Sequence, residues 1–450
     1  MNVDEVVKLA EHSGVDLIEF LFVDNAGTIR GKLTHVDHLK SRMIGGIGLT
    51  PAMMAMNILD DLQPIPEMGP VGEVRLIPDA DSFRVLPYSP RVASMMCQQI
   101  ALNHEPWDAC SRSFLKSVIE EAEQMGIRIM ATYEDEFTLT KVDENGNYAP
   151  IDEALCFSSI AMEVGNPVIL DIMSALKAQG IQPEQYYPEL GHGQHELSIS
   201  PTDLLTAADN QVRYRETVRA VAKKHGMAAS FAPKPFADEA GNGAHIHFSL
   251  WDLEGEKNLL WQPSDKYNLS EMGYQFIAGI LRHLRGLVGL TCASVNSYRR
   301  LNPRSWSSAY TAFGPDNREA AVRIASTFWG NEEKSMNMEL KASDSSANPY
   351  LALGALVAAG LDGIKNGWHP GGGIEVDPAT LSEQERAERG IVRLPANLED
   401  AMDAMDADKF FRNRLGDLRY RAYTTVKRSE QAAFAKHDVA FELKHHFMKF

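Results

Sequence analysis

Five glutamates in this chain fall in segments whose spacing could hold divalent cations against phosphate. In Tyr133-Glu134-Asp135-Glu136-Phe137 the flanking residues suit a strand, and residues two apart on a strand share a face. Glu134 and Glu136 are therefore expected side by side, with Asp135 on the opposite face. Adjacent carboxylates repel unless a cation lies between or beside them. The run Glu189-Leu-Gly-His-Gly-Gln-His-Glu196 brings two more carboxylates around a tight, glycine-bearing path. His192 and His195 within it read as surface or supporting residues.

The most informative segment runs from Lys234 through Gly241, Gly243, His245 and His247 to Ser249. A glycine loop leads into a strand that sets His245, His247 and Ser249 on one face. Imidazole and hydroxyl then supply coordination or hydrogen bonds. A basic group follows: Arg299, Arg300, Arg318, Arg323, Lys334 and Lys341, with Asn317 and Glu339 among them. Guanidinium forks match carboxylate and phosphate oxygens, the groups that a phosphorylated acid presents. Five glutamates and one histidine form a ligand set richer in oxygen than zinc prefers, which favours Mg²⁺ or Mn²⁺. Two such ions can neutralise the charge of a transferring phosphoryl group.

These residues need a scaffold, and the patterning predicts an α+β fold. Residues 17–23 and 28–36 read as strands around the turn Asp24–Gly27. A Gly-, Pro- and Met-rich stretch follows over 44–90, with a strand at 73–77, and a small domain ends near residue 100. Met53, Met54 and Met56 could line a pocket or fill core gaps. Residues 111–126 have helical spacing, closed by Gly126, and a long strand is expected at 128–140. Further helices are expected at 167–179, 202–225, 270–287, 349–366 and 416–447. Further strands are expected at 194–200, 227–232, 244–251, 318–324 and 336–341, giving an antiparallel sheet with helices packed around it.

Composition narrows the function. The 450 residues are 44% hydrophobic and 23% charged, ample for a globular core. A formal charge of −17 repels phosphate backbones, so nucleic acid is not an expected partner. Cys97, Cys110, Cys156 and Cys292 form no CxxC pair, which suits a reducing compartment. The N-terminus has neither the basic nor the apolar region of a signal peptide. The longest apolar run, Leu351 to Leu361, is too short to cross a bilayer. A cytoplasmic protein without a membrane partner is expected.

Together these motifs resemble the glutamine synthetase family, over nearly the whole chain and in the family's order. The segment from Lys234 to Ser249 is similar to that family's ATP-region signature, and SANPYLALGAL after Glu339 adds a further match. The resemblance implies a small β-grasp-like N-terminal domain (1–103) and a larger catalytic domain (104–450) with a curved antiparallel sheet flanked by helices. It implies one metal ion on Glu136, Glu189 and Glu196, and a second on Glu134, His245 and Glu339. His247, Ser249, Arg323 and Lys334 would bind ATP. Gly241, Arg300, Arg318, Lys341 and Trp306 would face glutamate, the transferred phosphoryl group or the nitrogen nucleophile, with Arg318 and Glu339 catalytic. The implied reaction is glutamate attack on the γ-phosphate of ATP, followed by attack of an amine on γ-glutamyl phosphate. Stacked rings of identical subunits with active sites at their contacts are also implied.

The chain departs from the ammonia-using pattern at four places. The family's DGSS-type loop, whose aspartate binds ammonium, reads Gly48-Leu-Thr-Pro-Ala-Met-Met-Ala-Met56 here and contains no acid. Asp24 precedes it as an expected turn residue. Trp306 stands at the flap glutamate, Ala240 at an asparagine and Lys341 at an arginine. Trp306 cannot accept a proton but can shield an acyl phosphate or pack against carbon. These changes resemble the branch that makes γ-glutamylamides from primary amines. The alternatives are a true glutamine synthetase using ammonia and a catalytically silent paralogue, and six filled metal-ligand positions argue against the latter.

Overall fold

Alternating burial along Leu17–Val23 (β1) carries the chain through Asp24–Gly27 into the antiparallel Ile29–His35 (β2). Asp24 is fully buried and accepts N–H groups of Ala26 and Thr28, each at 2.9 Å, and Arg30 Nε at 2.5 Å. It is a turn residue, as expected. The computed structural model describes residues 1–450. Ile47–Leu49 (β3), Val74–Pro78 (β4), Arg84–Val85 (β5) and Val92–Ile100 (β6) complete a small mixed sheet of order β2-β1-β6-β4-β3. The central strand β6, parallel to β1, was not anticipated: its run of Ser, Met, Cys and Gln lacks clean alternation. Helices Val3–His12 (α1) and Leu39–Gly45 (α2) belong to this half.

The second sheet is a curled half-barrel centred on Arg128–Val142 (β7). Its main path runs from Phe313–Pro315 (β14) through Val322–Ile324 (β15), Met338–Leu340 (β16) and Ala244–Trp251 (β13) to β7. It continues into Gln194–Ile199 (β10) and Pro183–Pro188 (β9). Tyr148–Pro150 (β8), Thr202–Asp203 (β11) and Met227–Ser230 (β12) also pair with β7. All these pairings are antiparallel except β14–β15.

Helices Ser111–Gln124 (α3), Ser159–Ala178 (α4) and Leu204–Lys224 (α5) follow the chain order, then Glu271–Thr291 (α6), Glu332–Ser335 (α7) and Pro349–Asn366 (α8). Glu383–Glu388 (α9), Leu398–Ala407 (α10), Lys409–Leu415 (α11), Asp417–Phe434 (α12) and Val439–Phe447 (α13) end the chain. Helices α6 and α8 cross very closely. A Cβ on Gly279 would lie 2.0 Å from the Ala359 carbonyl oxygen, and one on Gly363 2.0 Å from that of Gln275.

Several boundaries differ from expectation. The helix expected at 167–179 begins at Ser159, capped by Ser158, and runs through Pro167, a residue that normally stops a helix. It is long and apolar enough to meet the length requirement for a bilayer span. Yet Val168, Ile169, Ile172 and Leu176 are buried in the core, and Glu163, Asp171 and Lys177 are exposed. The single helix expected over 416–447 is two, because Asp438 caps a new start by accepting the Phe441 N–H at 2.9 Å. The strand expected at 318–324 shrinks to β15, leaving Arg318 in the preceding turn.

One apolar core lies between the half-barrel and α3, α6 and α8. The other joins Ile18, Phe20 and Met95 of the small sheet to Phe137, Tyr214 and Phe434 of the larger half. Polar ties cross the same boundary. Asn348 Nδ2 donates to the carbonyls of Val23 and Asp24 at 3.1 and 3.2 Å, and the Ile58 N–H donates to Glu430 at 2.9 Å.

Candidate active site

Strand register assembles the chemistry-bearing side chains. Across antiparallel pairs Glu136 faces Glu196, Glu134 faces His245, and Glu339 faces both His247 and Arg323. Directly opposed residues point to one side of a sheet, so five strands present one row of ligating groups. Asp135 lies on the other side, accepting Gln211 Nε2 at 2.7 Å and Ser345 Oγ at 2.8 Å. Glu189 joins the row from the end of β9, with the Leu190 N–H donating to it at 3.0 Å.

The row lines a cavity of about 620 Å³. Glu134, Glu136, Glu189, Glu196, His245 and Glu339 all reach it, as do Gly241, Arg300, Arg318, Arg323, Lys341 and Trp306. Three expected residues do not line it. His247 lies behind it, its Nδ1 2.9 Å from Asn337 Oδ1 and its Nε2 3.3 Å from Glu134. Ser249 is buried and accepts Trp251 Nε1 at 2.9 Å, while Lys334 is exposed on α7.

The two ends of the row differ in charge balance. Burial and the nearby Glu136 raise Glu189 to about 7, and burial with Glu134 and Glu136 pushes Glu196 well above the ordinary carboxylate range. Burial would also raise Glu339, but Lys341, His245 and His247 more than offset it and hold it well below that range. For His247, burial opposes the charged form, yet Glu134 and Glu339 outweigh it and raise the pKa to about 9. Glu134, His247 and Glu339 offer ligand atoms within 4.8 Å of one another. His245 Nδ1 is equally placed, 3.2 Å from Glu339 and 3.6 Å from Glu134. Arg323 Nε stands 2.5 Å from Glu339 Oε2 without hydrogen-bond alignment, so that buried oxygen has no aligned donor. Carboxylates that repel when brought together, with an oxygen left over, fit divalent cations.

Supporting residues that the motifs did not reveal complete the site. Gln194 Nε2 donates to Glu136 at 2.8 Å and to the Gly241 carbonyl at 2.9 Å, and Tyr187, opposite Glu196 on β9, donates to its carboxylate. Gln194 sat in view between two glutamates, but an amide there carries no signal of its own. Arg300 is buried, donating to the Ser343 carbonyl at 2.6 Å, and packs on Gly241. A Cβ at Gly241 would fall 2.3 Å from the Pro233 carbonyl oxygen and 3.1 Å from Arg300 Cγ. Gly241→Ala is expected to cost roughly 1–3 kcal/mol of stability and to displace Arg300. A thermal melt alongside glutamate KM would show both effects.

No residue before Glu134 lines the cavity. The stretch Gly48–Met56 lies in the small domain, with Met54 fully buried and Met53 and Met56 half-buried. Within one chain this loop does not reach the cavity: Met54 and Ala55 fill the same apolar core as Ala422 and Val426 of α12. Asp60 is likewise tied to Arg30 at 2.6 Å.

Comparison with known proteins bears on this geometry. Residues 1–107 match the family model described as glutamine synthetase N-terminal domain, and residues 108–446 the one described as glutamine synthetase, catalytic domain. The γ-glutamylpolyamine synthetase GlnA3 of Streptomyces coelicolor is 33% identical over 420 residues, 93% of this chain and 90% of that protein. A glutamine synthetase of Clostridium saccharobutylicum is 31% identical over 99% of both chains. A crystal structure of a novel glutamine synthase homolog superposes with a TM-score of 0.86 at 31% identity, covering 97% of this chain and 99% of that one. GmaS in complex with ADP gives 0.85 at 30% identity over 98% of both.

Proposed function

Because the chain belongs to the glutamine synthetase family and is an ATP-dependent carbon–nitrogen ligase, we propose that its nitrogen substrate is a primary amine and its product a γ-glutamylamide. The observation that carries this reading is the cavity's distribution of charge. Its acidic side chains are Glu134, Glu136, Glu189, Glu196 and Glu339, each a proposed metal ligand. Trp306, at the position of the family's flap glutamate, lines the same cavity and brings no carboxylate to it. An enzyme using ammonium must bind the cation and remove a proton, whereas an apolar wall favours nitrogen with carbon attached. Each methylene buried is worth roughly 0.8 kcal/mol, so a few carbons give a sizeable preference.

In this reading Glu136, Glu189 and Glu196 hold one Mg²⁺ or Mn²⁺ ion, and Glu134, His245 and Glu339 the second. The ions would neutralise phosphate charge. Arg323 and Lys334 would bind the ATP phosphates, with His247 and Ser249 as further ATP contacts. Gly241, Arg300 and Lys341 orient glutamate, whose γ-carboxylate attacks the γ-phosphorus and releases ADP. Arg318 steadies the transferring phosphoryl group. The amine then attacks the acyl carbon and phosphate leaves. The reading places the domain boundary at residue 103 and the protein in the cytoplasm, where its four unpaired thiols would stay reduced. It also includes a ring of identical subunits, supported by exposed Leu155, Phe157 and Ile160 beside the cavity. A neighbouring copy could then supply the Gly48–Met56 loop.

The second reading, ammonia as substrate, draws on relatives named glutamine synthetase at 31–32% identity. A panel of ammonium, methylamine, ethanolamine, putrescine, isopropylamine and aniline separates the two. We expect an amine to give the highest kcat/KM, with the γ-glutamylamide seen by mass spectrometry. Ammonium winning, with glutamine as main product, would restore the second reading.

A further inference from the structure

We propose that Glu319 is the positioning residue for the nitrogen subsite, holding the loop 303–308 in the conformation that presents Trp306 to the cavity. This rests on Trp306 walling the nucleophile side, as proposed above. Glu319 follows Arg318 in the turn before β15, and its two carboxylate oxygens take separate donors from the loop. Oε1 accepts the Trp306 N–H at 2.8 Å, and Oε2 accepts the Arg304 N–H at 3.3 Å.

The loop needs such a tie. Arg304, Trp306 and Ser308 all adopt left-handed backbone, with φ of 60°, 57° and 67°. Side-chain-bearing residues enter that region only where surroundings hold them. The alternation turns the N–H groups of residues 304 and 306 toward one side, making a small concave donor site that suits an anion. The loop's ends are fixed independently. Arg393 donates to the carbonyls of Leu301 and Ala309 at 3.0 and 2.8 Å, and Ser307 Oγ to that of Arg300 at 2.6 Å. The amide of Trp306 hangs on Glu319.

Trp306 also separates two hollows. It lines the 620 Å³ cavity and, with Arg304 and Arg318, a second hollow of about 340 Å³ on which Glu319 opens. Trp306 is 58% exposed, so packing alone does not hold it. Without the tie, the wall between the carboxylate row and the outer hollow loosens. Water can then attack the acyl carbon of γ-glutamyl phosphate, the carbon–oxygen bond to phosphate breaks, and glutamate and phosphate are released without an amide. Loss of Glu319 should therefore weaken selection of the nitrogen donor and uncouple ATP use from product, leaving the nucleotide side intact.

The experiment compares full-length wild type, Glu319→Ala, Glu319→Gln, Trp306→Ala and the Glu319→Ala/Trp306→Ala double variant. Each is assayed with the donor that wild type uses best, whether amine or ammonium, so failure of the amine reading does not decide this test. Expected for Glu319→Ala are a donor KM raised at least about tenfold, KM for ATP within about twofold of wild type, and more ADP released per amide formed. Glu319→Gln, which keeps one acceptor oxygen, should be intermediate and serves if the alanine variant folds poorly. In the Trp306→Ala background, removing Glu319 should add nothing, because both act through the same wall. An unchanged donor KM and coupling ratio in Glu319→Ala would overturn the proposal. So would additive effects in the double variant, or equal losses in every kinetic constant together with a lowered Tm.

Discussion

Glu339→Gln is expected to lower ADP formation by at least about 10²–10³-fold, on the scale of losing one charge-stabilising group at a reacting centre. Glu339 is fully buried, and His245, His247, Lys341 and Arg323 converge on it. Removing its negative charge weakens one of the six proposed ligands and leaves Arg323 and Lys341 beside it to repel any metal ion. The amide is the informative substitution. It keeps the volume and one acceptor oxygen, whereas alanine would also open a buried cavity, which confuses folding with function. Glu136→Ala is the companion test on the other side of the row, where the lost partners are the Gln194 amide and the Gly243 N–H, each at 2.8 Å. The assay is ADP release with glutamate across a titration of Mg²⁺ and Mn²⁺, with Tm measured in parallel. Normal turnover by either folded variant at ordinary metal concentration would end the two-metal assignment.

Arg318→Lys is expected to reduce kcat by about 10²-fold or more while shifting Tm by no more than about 2 °C. The contrast follows from its surroundings. Arg318 lines the cavity, is exposed, and has no ion-pair partner within the chain. Its guanidinium is free to take a ligand, and stability owes it little. Lysine keeps the charge but loses the planar fork that matches phosphoryl oxygens. A drop in Tm with unchanged specific activity of the folded fraction would make Arg318 a structural residue instead.

The site was more legible in sequence than the scaffold around it, for a physical reason. Most of the proposed ligands lie in strands whose two-residue period is strict, so Glu134 could be placed beside Glu136, and His245 beside His247, before any pairing was known. The register that brings Glu136 opposite Glu196 is a long-range choice, made by burial of Tyr133, Phe137, Leu197 and Ile246, and no local spacing encodes it. Strand β9 was missed because prolines bracket it. Helix α4 was shortened because Pro167 carries a strong local signal that tertiary packing overrides. The departures at Ala240 and Trp306 were visible only as substitutions in a familiar pattern. Glu319 gave no signal of its own although it follows Arg318, since its proposed role depends on the left-handed backbone of residues 304–308, which no residue spacing announces.

The second apolar core has a thermodynamic consequence. Phe20 and Met95 of the small sheet are buried with Phe137, Tyr214 and Phe434 of the half-barrel side, and Glu430 holds the Ile58 amide across the seam. A boundary drawn near residue 103 therefore divides the polypeptide but not its free energy of unfolding. Neither piece can expose its share of that core without exposing part of the other's, so the stability of each half includes the contacts it makes with the other. The small sheet is thereby coupled to β7 and its glutamates through shared side chains such as Phe137 as well as through the backbone.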